Sequence, residues 1–256
     1  MLNFIKLLFC ALLTLPFFKQ NKNAGRVKTL VIDAGHGGKD RGTMGKRLPE
    51  RTVALAIALK FGAIVEANMP NVKVIYTRKK DVFIPLAERA NIANRNNADL
   101  FVSIHCNANP HSDKIFGTET YTMGLHKTEE NLELAKRENE VVLLESNYKK
   151  MYRGYDPNSP LAHIMMANYQ SAFMQNSLKM AGKVENSVKK SLRKSRGVKQ
   201  AGFIVLWETT MPSILVETGY MTNDAEDKLL CSEAGQDAMA NTIFQAFKAY
   251  KQDIEL

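Results

Sequence analysis

Hydrophobic and polar positions change period repeatedly along the chain. Three short β-branched runs predict strands: Lys28–Asp33 (KTLVID), Val72–Thr77 (VKVIYT) and Asp99–Cys106 (DLFVSIHC). Between them, Glu50–Asn68 carries Val53, Ile57, Phe61 and Ile64 on one stripe with Pro70 beyond its end, which predicts a helix. Pro85–Asn97 reads as a second helix with a polar face, and Gly117–Met123 (GTETYTM) alternates as a half-exposed strand should. Farther on, Leu161–Leu192 reads as one long helix, Phe203–Trp207 and Ser213–Glu217 as two more strands, and Ser232–Tyr250 as a closing helix. This alternation predicts an α/β domain. Met123–Pro160 breaks it with a charged helical stretch followed by the turn-rich YRGYDPNSP. Connections in α/β units are short, so an insertion of this length points to a lid or binding feature.

The 256 residues suit one catalytic-sized domain, and 45% hydrophobic with 24% charged residues excludes global disorder. A net charge of +9 points to anionic surroundings: nucleic acid, anionic lipid or an acidic envelope. Eight basic residues fall within Lys179–Lys199 against Glu185 alone, without an aromatic residue among them, which argues against base stacking and for a solvated helix face. Three cysteines rule out a disulfide framework; Cys106 and Cys231 are left open as a pair or as free thiols. Leu7–Phe18 (LLFCALLTLPFF) is too short to span a bilayer and matches a signal-peptide core, with Lys6 before it. Residues 1–19 are therefore expected to be a signal peptide or N-terminal anchor, 20–27 a linker and 28–252 the catalytic domain, with a helical insertion at about 124–160. The expected location is exported, in the periplasm or envelope, with membrane contact only through the N-terminal segment.

Four residues carry candidate chemistry. His36 lies in VIDAGHGGKDRGTMG, directly after a strand, where functional groups of open α/β sheets collect. The surrounding glycines lack both G-x-G-x-x-G and a G-K-[ST] ending, so a phosphate loop is excluded. His105, in FVSIHCNAN with Asn107 and Asn109 after it, ends another strand. Singly, each histidine reads more readily as an ordinary hydrogen-bonded residue than as a ligand; two at parallel strand ends favour metal. Glu50 opens the first helix, where the helix dipole alone would favour a carboxylate. Two His and one Glu would make a three-ligand zinc site with an open position, the hydrolytic pattern. Glu217, ending the apolar run in PSILVETGYMTN, could move protons beside such a site, or pair structurally with a basic residue.

The ordered blocks VIDAGHGGKDRGTMG, Glu50, VIYTRKKDVFIPLAERANIAN, ADLFVSIHCNAN, GTETYTM and PSILVETGYMTN resemble the zinc-dependent N-acetylmuramoyl-L-alanine amidases, including the cell-division amidases. The resemblance implies an α/β fold with a central, mostly parallel sheet and helices on both faces. It places zinc on His36, Glu50 and His105 and the catalytic carboxylate on Glu217. It implies hydrolysis of the bond between N-acetylmuramic acid and L-alanine of the stem peptide, in wall remodelling or daughter-cell separation. Peptidoglycan is then the partner, with no nucleic acid. Alternatives are a zinc peptidase cutting within the stem peptide and a non-catalytic envelope-binding protein. The resemblance to the cell-division members, which can carry an inserted helix here, implies a helix that covers the zinc until a protein activator displaces it; the alternative is a solvated, charged helix that merely lengthens a loop. Here Leu132, Ala135 and Leu143 would rest on the domain, Glu138, Glu140 or Glu145 would take the open zinc position, and Gly154, Pro157 and Pro160 would form hinge and stop. Arg78 and Arg89 are expected to be structural, paired with carboxylates such as Asp81 or Glu88.

Overall fold

The computed structural model describes residues 26–152, 154–156, 159, 161 and 172–256. The expectations for Leu7–Phe18, Pro157, Pro160 and most of the amino-terminal part of Leu161–Leu192 lie outside the described residues. Six strands form one sheet: β1 (Thr29–Ala34), β2 (Lys73–Tyr76), β3 (Leu100–Asn107), β4 (Thr118–Met123), β5 (Ser195–Ala201) and β6 (Ser213–Tyr220), in the order β2-β1-β3-β6-β4-β5. The first four in that order run parallel; β4 runs antiparallel to β6 and parallel to β5. The sheet is therefore mostly parallel, with helices on both faces, as expected.

Strand alternation divides the interior in two. On one face, Leu30, Ile32, Val102, Ile104, Ile214 and Val216 pack against helices α1 (Glu50–Asn68), α5 (Met174–Lys190) and α8 (Glu233–Glu255). Phe61 of α1 meets Phe247 of α8 edge-on, centroids 6.3 Å apart. On the other face, Val31, Phe101, Tyr121 and Leu215 pack against α2 (Leu86–Arg95), the inserted segment and the short α6 (Ile204–Trp207). Among the described residues no helix is long and apolar enough to cross a membrane.

Several expectations are corrected. Gly117–Met123 is not half-exposed: all six residues of β4 are buried. Its threonines point to the α5 side of the sheet, where Thr120 Oγ1 donates to Glu185 Oε1 of α5 (2.7 Å) and Thr118 Oγ1 donates to the Thr218 carbonyl of β6 (3.4 Å), so its polar side is covered rather than solvated. The apolar run Phe203–Trp207 forms α6, not a strand; a run so short has no period to distinguish the two. The strand is instead β5, within the basic run, so Lys179–Lys199 is not one helix face. Its edge position lets that strand carry Arg196 and Lys199. Within residues 172–192 the helix starts at Met174, after a turn at residues 172–173. Arg89 pairs with Asp33 (2.9 Å), whereas Glu88 pairs with Arg95 and Asp81 with Arg51. Among the described residues Arg78 takes no carboxylate in hydrogen bonding; it donates to the carbonyls of Ala34, Gly35, Arg51 and Lys80. Cys106 and Cys231 are free thiols.

The insertion comprises α3 (Glu129–Asn139), a 3₁₀ turn (Glu140–Leu144) and the one-turn α4 (Tyr148–Met151). Thr128 caps α3 through the Asn131 N–H, as its hydroxyl at that position favours. Leu132 and Ala135 are buried, but Leu143 is 48% exposed and does not rest on the domain. The segment is tied back to α2, which has no side-chain cap of its own. Leu86 N donates to Glu145 Oε1 (3.2 Å) and Ala87 N to Tyr152 Oη (3.0 Å).

Candidate metal centre

The site is built where β1 and β3 end and α1 begins. After β1 the chain turns sharply, with His36 at φ 59°. Arg89 holds that turn from α2, its guanidinium donating to the Ala34 and His36 carbonyls at 2.7 Å each while paired with Asp33. Gly35 must be glycine: a Cβ there would lie 2.4 Å from the His105 ring. Gly42 is equally constrained, since its Cβ would fall 2.5 Å from the His36 ring and 2.6 Å from Glu50 Oε2. These close approaches let three distant segments converge.

Glu50 is the first residue of α1 and fully buried. Its Oε2 accepts from Thr43 N (2.8 Å) and its Oε1 from Cys106 N (2.9 Å), which fixes the carboxylate. Glu50 Oε1 lies 3.1 Å from both His36 Nε2 and His105 Nδ1. On the insertion, Glu138 Oε2 lies 3.3 Å from His36 Nε2 and 3.2 Å from His105 Nδ1. All four ligand atoms fall within 4.8 Å of one another. His36 Nδ1 is 2.8 Å from Asp40 Oδ2, the outer carboxylate that orients a ligating imidazole. Sequence reasoning passed over Asp40, although its place four residues after His36 in HGGKD was the available signal.

The donor set fits a small divalent ion. His36 Nε2 and Glu138 Oε2 are buried without a hydrogen-bond partner. The four nitrogen–oxygen separations of 3.1–3.3 Å are close to the roughly 3.3 Å between neighbouring donors that bind zinc at about 2.0–2.1 Å. Burial opposes charge on both imidazoles, but Glu50 and Glu138 raise His36 well above its ordinary range, and Glu138 pushes His105 up to about 10. Conversely, the two imidazoles hold Glu138 well below the usual carboxylate range against the cost of burial.

Glu217 stands beside this group. The strand register aligns His105 of β3, Glu217 of β6 and Glu119 of β4 in one row across the sheet. Glu217 is fully buried, and neither carboxylate oxygen has a hydrogen-bond partner among the described residues. Burial, then the Glu138 charge, raises its pKa well above 4.5, with His105 opposing. The structure thus brings His36, Glu50, His105 and Glu217 to one place. Of the three insertion carboxylates, only Glu138 reaches it: Glu140 is exposed and Glu145 is bound to Tyr152 and α2. The cage around Glu119, formed by Tyr121, Tyr220, Arg196, Lys199 and Asn107, was missed, because its members come from four strands.

Comparison with known proteins gives a consistent likeness. Residues 30–249 match the family described as N-acetylmuramoyl-L-alanine amidase. The chain is 37% identical over 243 residues to the N-acetylmuramoyl-L-alanine amidase AmiC of Escherichia coli O6:H1, covering 91% of this chain but only 56% of that protein. Among solved structures, the amidase AmiC2 of Nostoc punctiforme superposes with a TM-score of 0.64 at 32% identity, covering 89% of this chain and 99% of that one. The CwlD amidase of Clostridioides difficile, in complex with the GerS lipoprotein, superposes with a TM-score of 0.64 at 25% identity, covering 88% and 99%.

Proposed function

The chain belongs to the N-acetylmuramoyl-L-alanine amidase family, and we propose that it hydrolyses the amide between N-acetylmuramic acid and L-alanine of the peptidoglycan stem peptide. His36, Glu50 and His105 would hold zinc, and Glu217 would be the acid–base carboxyl. One observation carries the reading: two imidazoles and a carboxylate meet at 3.1 Å beside a buried, unpartnered carboxyl. When bound, zinc supplies a Lewis acid for the amide carbonyl and lowers the pKa of water.

The protein's own groups supply the rest. Asp40 and the Cys106 N–H orient His36 and Glu50 respectively, so the donors are preorganised. Glu217, in its ionised form, takes a proton from the attacking water at a carboxylate oxygen and returns it to the leaving nitrogen. Glu138 belongs to the insertion and adds a fourth donor, converting an open three-donor set into a closed one. The insertion is therefore autoinhibitory in this reading, and a protein partner in the envelope displaces it. The complex of CwlD with a lipoprotein is a precedent for a protein partner in a similar amidase. The working unit is residues 28–252, exported and acting in wall remodelling or daughter-cell separation.

The test is a zinc determination combined with muropeptide release from purified peptidoglycan, with and without chelator, analysed by mass spectrometry. Intact stem peptides freed from glycan support the amidase; fragments cut within the stem would make it a peptidase instead.

A further inference from the structure

Beside the metal donors lies a polar side chain that the proposed reaction leaves unused. Asn107 ends β3 two residues beyond His105, is buried, and lines a recess with Glu119, Tyr121, Arg137, Lys199 and Tyr220. Its amide has only one workable orientation. Nδ2 donates to Glu119 Oε2 at 3.2 Å. Arg196 Nε and Lys199 Nζ each stand 2.5 Å from Glu119 Oε1, so that carboxylate is ionised and can only accept. Turned end for end, the amide would set its oxygen against a carboxylate oxygen. Oδ1 therefore faces the recess, where it accepts from Ala108 N (2.7 Å) and from the Arg137 guanidinium (3.0 Å).

Arg137 immediately precedes Glu138 on α3. Two adjacent insertion residues thus put an oxygen against the metal donors and an N–H against Asn107. Withdrawal of α3 would expose both positions together and free the Oδ1 lone pair that Arg137 holds, while the Ala108 N–H keeps the other in place. Resting on the amidase reading, we propose that Asn107 Oδ1 is a substrate-binding acceptor for an amide N–H of the stem peptide beyond the scissile bond, and that Arg137 occupies its place while the insertion is closed. The recess is lined by none of His36, His105 and Glu138, which places it next to the reacting bond rather than on it. An N-acetyl group of the glycan offers the same N–H chemistry. The fixed charges favour the peptide: Arg196 and Lys199 outnumber Glu119 once the insertion withdraws, and stem peptides carry carboxylates.

The experiment uses the full-length, zinc-loaded chain carrying Arg137→Ala and Glu138→Ala to release the insertion, plus Glu217→Gln to stop turnover, with and without Asn107→Ala. Calorimetry measures the affinity for an N-acetylmuramoyl peptide. The same is done for analogues in which one stem amide N–H at a time is an ester oxygen, and for one in which the sugar N-acetyl is O-acetyl. One stem ester should bind about 3- to 10-fold more weakly when Asn107 is present, the scale of one neutral hydrogen bond, and no more weakly than the parent when it is absent. Asn107→Ser, whose hydroxyl is too short to reach, should reproduce the alanine result should that variant fold poorly. Equal penalties in both proteins for every stem analogue, or coupling confined to the sugar analogue, would overturn the assignment and leave the amidase reading standing. If neither protein binds the parent ligand and the form retaining Glu217 releases no stem peptide, the amidase reading falls and this inference with it.

Discussion

The two faces of the sheet divide the work of the molecule. The face under α1, α5 and α8 is a nearly continuous apolar layer, filled by Leu30, Ile32, Ile57, Phe61, Val102, Val184, Ile243 and Phe247. The opposite face carries Asp33, His105, Glu217 and Glu119 on the same strands, fully or almost fully buried. Among the described residues, five of the nine unpartnered buried side-chain atoms belong to the site and the insertion over it: His36 Nε2, Glu138 Oε2, Glu217 Oε1 and Oε2, and Arg137 Nε. Such atoms oppose folding, so the apolar face must offset them. One face therefore supplies stability that the other spends on poised groups.

The sharpest test of this division sets Glu217→Gln against changes at the imidazoles. Glu217→Gln should retain zinc and lower turnover by roughly 10²–10⁴-fold, the scale of a positioned acid–base group. His36→Ala and His105→Ala should lose zinc and activity together, measured by elemental analysis and muropeptide release. Next come two buried groups on opposite faces. Phe247→Ala should cost about 3–5 kcal/mol in urea unfolding through its cavity, with turnover per folded molecule unchanged. Arg89→Met should cost a similar 3–5 kcal/mol because Asp33 is left charged, buried and unpaired. Unlike Phe247→Ala it should also lower activity, since Arg89 holds the His36 turn.

A smaller effect is expected at the insertion. Glu138→Ala, or replacement of Lys127–Tyr155 by a short Gly/Ser linker, should raise basal muropeptide release several-fold in a folded, zinc-loaded enzyme. No increase would mean that the segment is not a lid. The smallest effect concerns pH in chelator-treated protein. Glu217 has a folded pKa raised above its ordinary 4.5, so its contribution to stability is complete below that value and lost as pH rises. Asp33 behaves oppositely: Arg89, with Ser103 and Thr77, outweighs burial and lowers its pKa below 3.8. Its contribution is complete above 3.8 and lost as pH falls through the lowered folded value. Glu217→Gln should therefore unfold at higher urea than the parent at pH 7, with the difference vanishing below about pH 4; an unchanged midpoint at pH 7 would contradict the burial cost assigned to Glu217.

Local pattern sufficed where an element's neighbours impose what its own residues prefer. Glu50–Asn68 has the same bounds in sequence and structure because its stripe, its first-turn carboxylate and Pro70 all agree. β1 and β3, which lead into His36 and carry His105, were legible for the same reason, and residue types with the ordered blocks around them singled out His36, Glu50 and His105, which the structure brings together. Tertiary structure decided the rest. Whether GTETYTM was half-exposed depended on α5 covering its threonines, and whether FIVLW was strand or helix depended on β5 taking the place beside β4. The choice among Glu138, Glu140 and Glu145 rested on the helical phase at which α3 crosses the metal donors, which presents Glu138 and turns Glu140 to solvent. Residue type and period are local properties, whereas the distance between His36 and Glu138 is set by a path of about a hundred residues whose direction only packing determines.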